Sequence, residues 1–345
     1  MRIIIPRECK VSEGRVALTP AAVGALVAAG HELVLEAGAG VAAGFADSAY
    51  ENVGARIEAD RPALYAPAAL VVKVKEPQAQ EWPLLHRQHR LFCFLHLAAA
   101  PELRHALLQS GVSALAFEAV EESGHLPLLA PMSRIAGDLA IQWAMYYLSV
   151  PGGGKGLLLQ AQPGCPRARV LVLGGGVAGA QAALAAARWG AQVTVVEQRP
   201  QRWSELEALH PQIQACPAQE QRWRPQLADT DVLIGAVLVP GARPPCLVSR
   251  AMVRSMPAGS VIIDIAIDQG GCIETMRPTT YAEPVYREEG VLHCGISNLP
   301  GAVPRTSTEA LSAALLPYVL RLARPDWQQD RVLHRALQLA EGQPF

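Results

Sequence analysis

The stretch Arg169-Val-Leu-Val-Leu-Gly-Gly-Gly-Val-Ala-Gly179 begins as an apolar run and ends in glycines that open an alanine-rich segment. Gly174, Gly176 and Gly179 have the spacing Gly-x-Gly-x-x-Gly. In this motif the first glycine makes a tight turn, the second lets the backbone approach a pyrophosphate, and the third allows close helix–strand packing. The N-terminus of the following helix attracts phosphate charge. The stretch therefore predicts the strand, turn and helix of a dinucleotide-binding βαβ unit.

The next apolar run, Val193-Thr-Val-Val-Glu197, ends in an acid. A carboxylate at the end of this second strand accepts hydrogen bonds from the adenosine ribose hydroxyls, which favours NAD over its 2′-phosphorylated relative. Arg199 and Arg202 follow closely, and a guanidinium in that position can instead accommodate a 2′-phosphate. We therefore expect NAD as the cofactor, and the two arginines leave open how strict that preference is.

The composition is that of a folded chain with two domains. At 345 residues it exceeds one ordinary domain, since chains average about one domain per 150 residues. Half of the residues (50%) are hydrophobic and 18% are charged, which is enough to form a sizeable core. A net charge of -1 means that the chain has no excess of basic residues to bind a polyanion, so we expect no nucleic-acid partner.

Neither the cysteines nor the N-terminus indicates export or a membrane. The seven cysteines are odd in number, scattered and without a Cys-x-x-Cys pair, which fits reduced thiols better than disulfides or a metal site. The first apolar run is too short for a signal peptide. Residues 170–187 are apolar enough to mimic a membrane span, but their four glycines favour a strand, turn and helix. We expect a cytoplasmic protein without a bound metal or a membrane partner.

Strand-like and helix-like segments alternate along the chain in two series. Strands are predicted at residues 2–5, 32–36, 70–75, 91–96 and 112–117, and again at 170–173, 192–196, 231–236 and 260–267. Such alternation predicts parallel sheets with crossover helices. We therefore predict an α/β fold of two doubly wound Rossmann-like domains with a cleft between them, joined by two long helices.

The two long helices set the predicted domain boundaries. One is expected at residues 135–148 with Ser133 as its N-cap, and the other at 310–320 with Thr306-Ser-Thr-Glu309 as a capping box. Residues 1–130 and 304–345 would then form a substrate and catalytic domain. Residues 131–303 would form the NAD-binding Rossmann domain.

Charged groups end several of the predicted strands. Lys75 and His96 end two strands of the first series, and Arg15 lies in the loop after the first strand. Ligands of open parallel sheets bind beyond the carboxyl ends of the strands, so we expect these three side chains to converge. Arg and Lys suit a small carboxylate and a carbonyl, and His can transfer a proton near neutral pH. We expect Asp268, after the last strand of the second series, to face the same cleft.

Seven motifs together resemble bacterial alanine dehydrogenase, from the N-terminus to about residue 323. They are Gly14-Arg-Val-Ala-Leu-Thr-Pro20, Lys73-Val-Lys-Glu-Pro77, Leu95-His-Leu-Ala98, Ala130-Pro-Met-Ser133, Ile234-Gly-Ala-Val-Leu-Val-Pro-Gly241, Asp264-Ile-Ala-Ile-Asp-Gln-Gly-Gly-Cys272 and Pro300-Gly-Ala-Val-Pro-Arg-Thr-Ser-Thr308. The resemblance implies reversible oxidative deamination of L-alanine by NAD to pyruvate, ammonia and NADH. It also implies a homo-oligomer, usually a hexamer.

The resemblance further implies roles for individual residues. Arg15 and Lys75 would hold the substrate, and His96 and Asp268 would be the acid–base residues. Beyond the glycine motif, cofactor contacts are implied for Ser133, Val177, Ala178, Glu197, Arg202, Val237, Leu238, Ile265, Ala266, Ile267, Asp268, Arg277, Ile296, Ser297, Asn298 and Leu299. Three alternatives stay open: an NAD(H)-binding component like the transhydrogenase alpha domain, a dehydrogenase of another small amino acid, and a non-catalytic NAD-binding regulator.

Overall fold

The computed structural model describes residues 1–239 and 244–345. Pro240 and Gly241, the end of one motif quoted above, lie outside the described residues. The chain divides into two compact units, which are Met1–Met132 with Gly301–Phe345 (unit one) and Ser133–Pro300 (unit two). The assignment of substrate and cofactor to separate domains stays a prediction.

The strands are short, as is usual for α/β proteins. In chain order they are β1 (Arg2–Ile5), β2 (Glu32–Glu36), β3 (Arg56–Glu58), β4 (Leu70–Val72), β5 (Arg90–Cys93), β6 (Ser113–Ala116), β7 (Arg169–Leu173), β8 (Gln192–Glu197), β9 (Ile213–Pro217), β10 (Val232–Gly235), β11 (Val261–Asp264), β12 (Tyr286–Glu288), β13 (Val291–Cys294), β14 (Leu337–Ala340) and β15 (Gln343–Pro344).

The helices alternate with these strands. They are α1 (Pro20–Ala28), α2 (Asp47–Glu51), α3 (Arg61–Tyr65), α4 (Pro101–Ser110), α5 (Leu129–Leu148), α6 (Val177–Arg188), α7 (Trp203–Glu207), α8 (Glu220–Trp223), α9 (Arg250–Arg254), α10 (Pro304–Leu322) and α11 (Arg331–Ala336). Helix α1 begins with a side-chain cap: Thr19 accepts a hydrogen bond from the Ala22 amide, and Pro20 is the first residue of the helix.

Unit one contains a mostly parallel sheet. Its described strands lie in the order β15-β14-β6-β5-β4-β1-β2-β3, in which the pairs β15–β14 and β14–β6 are antiparallel and the other described pairs are parallel. The chain first builds outward from β1 through β2 to β3, then returns to the other side of β1 and continues from β4 to β6. The direction of winding therefore changes between β1 and β4. This is the switch point beside which ligands bind in open α/β sheets.

Unit two repeats this plan. Its described strands lie in the order β12-β13-β11-β10-β7-β8-β9, with β12 antiparallel to β13. The switch point lies between β7 and β10. The central strands β1 and β11 are apolar except for one terminal residue each, Arg2 and Asp264, because both faces are covered; Ile3, Ile4 and Ile5 are fully buried. The predicted α/β class with two doubly wound sheets is confirmed.

Two predicted helix starts are wrong. Helix α5 begins at Leu129, so Ser133 lies inside it and is not its N-cap; Pro131 is tolerated in the first turn, where amides have no intrahelical partner. Helix α10 begins at Pro304, whose fixed φ suits a helix start, so the predicted capping box lies in the interior. Inside that helix Thr308 instead accepts the amide of Val16 at 3.1 Å.

Candidate active site

Arg15 lies in the long loop after β1, at the switch point of unit one. Its guanidinium is only 2% exposed. The guanidinium forms a bidentate ion pair with Glu13: Nε donates to Oε1 at 2.6 Å, and Nη2 donates to Oε2 at 2.5 Å. The remaining terminal nitrogen, Nη1, is 3.0 Å from the sulfur of Met132. Paired forks of this kind fix the plane of a guanidinium, so Glu13 determines how Arg15 is presented.

Lys75 follows β4, the strand next to β1. Its side chain is buried, with 7% exposure, and among the described residues its Nζ forms no ion pair. Burial lowers the pKa of Lys75, and the positive charges of Arg15 and Lys10 lower it further. Lys10 itself is paired with Glu76 at 2.5 Å. A buried, unneutralised cation beside Arg15 is an arrangement that stabilises a small anion.

A buried ionic network supports the backbone around Lys75. Lys73 Nζ lies 3.1 Å from Glu8 and 3.3 Å from Glu81, and all three are shielded from solvent. The other Glu8 oxygen accepts the amides of Val74 at 2.6 Å and Lys75 at 3.4 Å. Burial raises the pKa of Glu8, while the charge of Lys73 opposes this rise. The network was not predicted, because Glu8 and Glu81 lie far from each other in the chain.

His96 lies just beyond β5, the neighbour of β4. The predicted strand is too long here: it ends at Cys93, and His96 has a left-handed backbone with φ 47° and ψ 41°. That conformation is uncommon for a residue other than glycine. The ring of Phe94 is parallel to the imidazole, with 5.8 Å between centroids. The imidazole is partly exposed and therefore accessible to a small molecule.

Glu118, just after β6, holds this unusual backbone. Its carboxylate accepts the amide of His96 at 2.7 Å and the amide of Leu95 at 3.2 Å. The same Oε1 lies 3.6 Å from His96 Nδ1. Sequence reasoning missed Glu118; the only signal was an acid directly following a strand whose neighbour ends in a histidine. Arg15, Lys75 and His96 thus all lie beyond the carboxyl ends of unit-one strands.

The glycine motif of unit two has the geometry its spacing predicts. Gly174 has φ 97°, and a Cβ there would lie 2.7 Å from the carbonyl oxygen of Ala236. A Cβ on Gly179 would lie 1.9 Å from the oxygen of Gly174, so only glycine allows this helix–strand contact. A Cβ on Gly176 would meet nothing within 4 Å. The open space at Gly176, at the start of α6, fits the pyrophosphate of a dinucleotide.

Glu197 ends β8, and its side chain is almost fully buried. Arg199 donates to its carboxylate from the backbone amide at 2.9 Å and from Nε at 3.1 Å. Burial acts to raise the pKa of Glu197, but the hydrogen bonds and charge of Arg199 outweigh it and lower the pKa. Arg202 pairs with Glu205 at 3.7 Å. The predicted ribose acceptor is therefore ionised and already has one cationic partner.

Asp268 does not directly follow its strand, contrary to what the predicted strand 260–267 implied. Strand β11 ends four residues earlier at Asp264, and Asp268 lies exposed in a short 3-10 turn, Ile267–Gln269. Asp264 is fully buried and accepts the amides of Ala266 at 3.0 Å and Cys272 at 2.9 Å. Among the described residues, the Asp268 carboxylate forms no hydrogen bond or ion pair. The turn is capped by Asp264, which leaves Asp268 available.

The other predicted cofactor contacts of unit two also lie near the carboxyl ends of its strands. Val237 and Leu238 follow β10, Ile265, Ala266 and Ile267 follow β11, and Ile296, Ser297, Asn298 and Leu299 follow β13. Arg277 lies in a loop beside the same edge. Its carbonyl oxygen packs against Gly295, which follows β13: a Cβ on Gly295 would lie 2.5 Å from that oxygen. Val177 and Ala178 begin α6, and Ser133 lies on α5. Their roles as cofactor contacts stay predictions.

Other kinds of site have little support in residues 1–239 and 244–345. Over that part of the chain, no group of three or more His, Cys, Asp or Glu side chains is arranged to hold a metal ion. None of the described helices combines the length and the apolar character needed to cross a membrane. The seven cysteines are free thiols.

Two family descriptions cover nearly the whole chain. "Alanine dehydrogenase/PNT, N-terminal domain" matches residues 4–136, and "Alanine dehydrogenase/PNT, C-terminal domain" matches residues 140–344. The chain belongs to the alanine dehydrogenase/PNT family. This confirms the resemblance inferred from the seven sequence motifs.

Relatives of this family member are similar over most of their length. Alanine dehydrogenase from Halomonas elongata is 46% identical over 95% of this chain and 89% of its own. The enzyme from Bacillus subtilis is also 46% identical, over 94% of this chain and 86% of its own. A solved L-alanine dehydrogenase superposes with a TM-score of 0.94 at 43% identity, covering 100% of this chain and 96% of that one. A transhydrogenase from Sinorhizobium meliloti gives 0.85 at 26% identity, covering 100% and 98%.

Proposed function

We propose that this chain catalyses the reversible oxidative deamination of L-alanine to pyruvate and ammonia, with NAD as the cofactor. The single observation that carries the proposal is the buried Lys75 beside Arg15 at the switch point of unit one, which has no ion-pair partner among the described residues. Glu13 balances Arg15 and Glu76 balances Lys10, so the charge of Lys75 is available to one carboxylate. An α-amino acid or an α-keto acid supplies such a carboxylate.

The chain's own groups then account for the steps at the substrate. Arg15 and Lys75 bind the carboxylate and orient the α-carbon, and Lys75 stabilises negative charge that develops on the carbonyl oxygen of pyruvate in the reverse direction. NAD, held by the glycine motif and Glu197 of unit two, would supply the acceptor for the hydride that leaves the α-carbon. Water must next add to the resulting iminium, and this requires a base to remove its proton. Loss of ammonia then requires an acid. His96 and Asp268 are the groups we assign to these proton transfers.

The residues of unit two fit the cofactor. The tight turn at Gly174, the open space at Gly176 and the close contact at Gly179 are the three properties that a pyrophosphate site requires. Glu197 ends the next strand, where the motif expects an acceptor for the ribose hydroxyls. We further propose a cytoplasmic homo-oligomer, with the hexamer as the expected form; light scattering on the purified protein tests this assembly.

The deciding experiment is an assay with L-alanine and NAD and no added partner, followed by NADH absorbance. We expect NADH formation, and NADH consumption when pyruvate and ammonia are supplied together. A transhydrogenase-like component would be inactive alone but would pass hydride between nucleotides in the presence of its partner. Activity with serine or a larger amino acid exceeding that with alanine would support the alternative substrate. A protein that binds NADH yet oxidises no amino acid would support the regulatory alternative.

A further inference from the structure

We propose that Asp264 is the positioning residue for Asp268, holding both ends of the turn that carries it. The inference rests on the proposed acid–base role of Asp268. We call residues 265–271 the acid turn. Asp264 immediately precedes the acid turn and Cys272 immediately follows it.

The hydrogen bonds of Asp264 close the acid turn at its two ends. Oδ1 accepts the amide of Ala266 at 3.0 Å, and Oδ2 accepts the amide of Cys272 at 2.9 Å. Within the turn, the amide of Gln269 donates to the carbonyl of Ala266 at 3.0 Å, and the amide of Gly271 donates to the same carbonyl at 3.2 Å. One carboxylate therefore links the entry and the exit of the segment whose centre is Asp268.

The surroundings of Asp264 leave room for a carboxylate and little else. A Cβ on Gly235 of β10 would lie 2.9 Å from Asp264 Cγ, and a Cβ on Gly271 would lie 2.7 Å from Oδ2. Gly271 also has φ 63°, a left-handed value that glycine adopts without strain. Glycines on the neighbouring strand and on the turn itself therefore allow the carboxylate to reach both amides.

The charge of Asp264 is a cost to the folded chain. It is fully buried, and over the described residues it has no ion-pair partner. The titratable groups in its surroundings are Asp268 and Cys272 from its own segment, Tyr286 from β12, and Cys246 beside Cys272. None of these is a cation, and burial raises the pKa of Asp264 to about 6. A neutral residue at this position would avoid the free-energy cost of burying a charge. An ionised carboxylate has two acceptor oxygens and can therefore accept both amides at once.

The test compares Asp264→Asn and Gly271→Ala with Asp268→Asn in the full chain. Asparagine keeps one acceptor oxygen but presents an NH2 group to an amide that needs an acceptor. We expect kcat with L-alanine to fall about 10- to 100-fold, because small misplacements of a catalytic group have effects of this size. KM for alanine and Kd for NADH should change by less than about threefold. Gly271→Ala should change kcat in the same direction, since its Cβ would displace Oδ2.

Glu274→Gln is the matched control, because Glu274 is exposed, follows the acid turn and accepts the amide of Arg250 at 2.7 Å. It should behave as the unchanged protein. Wild-type kcat in Asp264→Asn, with kcat lost in Asp268→Asn, would overturn the positioning role alone. Parallel losses of kcat, NADH binding and melting temperature in Asp264→Asn would reduce it to a structural residue. Full turnover in Asp268→Asn is a separate result: it would overturn the acid–base role and the positioning role with it.

Discussion

The backbone amide of His96 donates to Glu118 Oε1 at 2.7 Å, and the imidazole Nδ1 of His96 lies 3.6 Å from the same oxygen. One carboxylate thus stabilises the left-handed backbone at His96 and places a negative charge beside its ring. These two effects are separable, because a neutral amide can accept the backbone hydrogen bond but cannot supply the charge.

Glu118→Gln should therefore lower kcat by about 10-fold, since the amide keeps the backbone hydrogen bond but removes the negative charge beside the imidazole. Glu118→Ala should lower kcat further, by about 100-fold, because the strained backbone also loses its acceptor. Glu121→Gln, at an exposed acid three residues later, is the control. Steady-state kinetics of the three variants measures both effects. Unchanged kcat in Glu118→Gln, with kcat lost in Glu118→Ala, would show that only the backbone contact matters.

His96→Ala addresses the proton transfer itself. The side chain is partly exposed and is not part of the buried core, so the fold should tolerate its loss. We expect kcat to fall roughly 10²- to 10⁴-fold while KM for alanine changes little. If kcat were retained and KM rose instead, His96 would bind substrate and another group would transfer the proton.

Two neighbouring lysines should respond in opposite ways to the same substitution. Burial lowers the pKa of Lys75, so its charged form destabilises the fold at neutral pH. Lys75→Met should abolish measurable turnover yet raise the melting temperature. Lys73 is the matched control, because it neutralises Glu8 and Glu81. Lys73→Met leaves these acids buried without a partner and should destabilise the fold by about 3 kcal/mol. Equal changes in melting temperature would contradict this division of roles.

The sequence predicts the order of elements better than the ends of those elements. Apolar runs identify the strands because parallel strands are buried on both faces. Their ends depend on neighbours in the sheet: the chain leaves the extended conformation after Cys93 because the amides of Leu95 and His96 bond to Glu118, more than 20 residues later. A local sequence pattern cannot predict such a long-range contact.

The same reasoning explains which candidate site residues the sequence could place at strand ends. Arg15, Lys75 and His96 could be predicted because they follow apolar runs and have an obvious chemistry. Glu13 and Asp264 were not among the candidates because an acid in a loop or at a strand end is usually a solvated residue. Only the structure shows that Glu13 pairs with Arg15 and that Asp264, which precedes the acid turn, is fully buried.

The contact between Arg199 and Glu197 decides the cofactor prediction. Arg199 binds the carboxylate by its amide and its side chain, and its guanidinium remains half exposed. Glu197 should repel a 2′-phosphate, so kcat/KM with NAD should exceed that with NADP. Arg199→Ala should widen this ratio by about 10-fold, since it removes the cation that could receive the phosphate. Arg188→Ala, at the far end of α6, is the control. An unchanged ratio would mean that Arg199 does not contact the bound cofactor.

The last prediction concerns the pH dependence of stability and Asp264. Its pKa is raised by burial from an ordinary value of 3.8 to about 6. A raised carboxyl pKa means that the fold favours the protonated form, so this group's contribution is fully present below about pH 4 and is lost as pH rises through 6. Asp264→Asn does not titrate. As pH rises from 4 to 7, the free energy of unfolding of the variant should therefore increase relative to that of the unchanged protein, by about 3 kcal/mol at most. Melting temperatures of both proteins across this range measure the difference, in which the other acids cancel. A difference that stays constant with pH would show that Asp264 is not ionised at neutral pH, and the carboxylate that closes the acid turn would have to be a neutral acid.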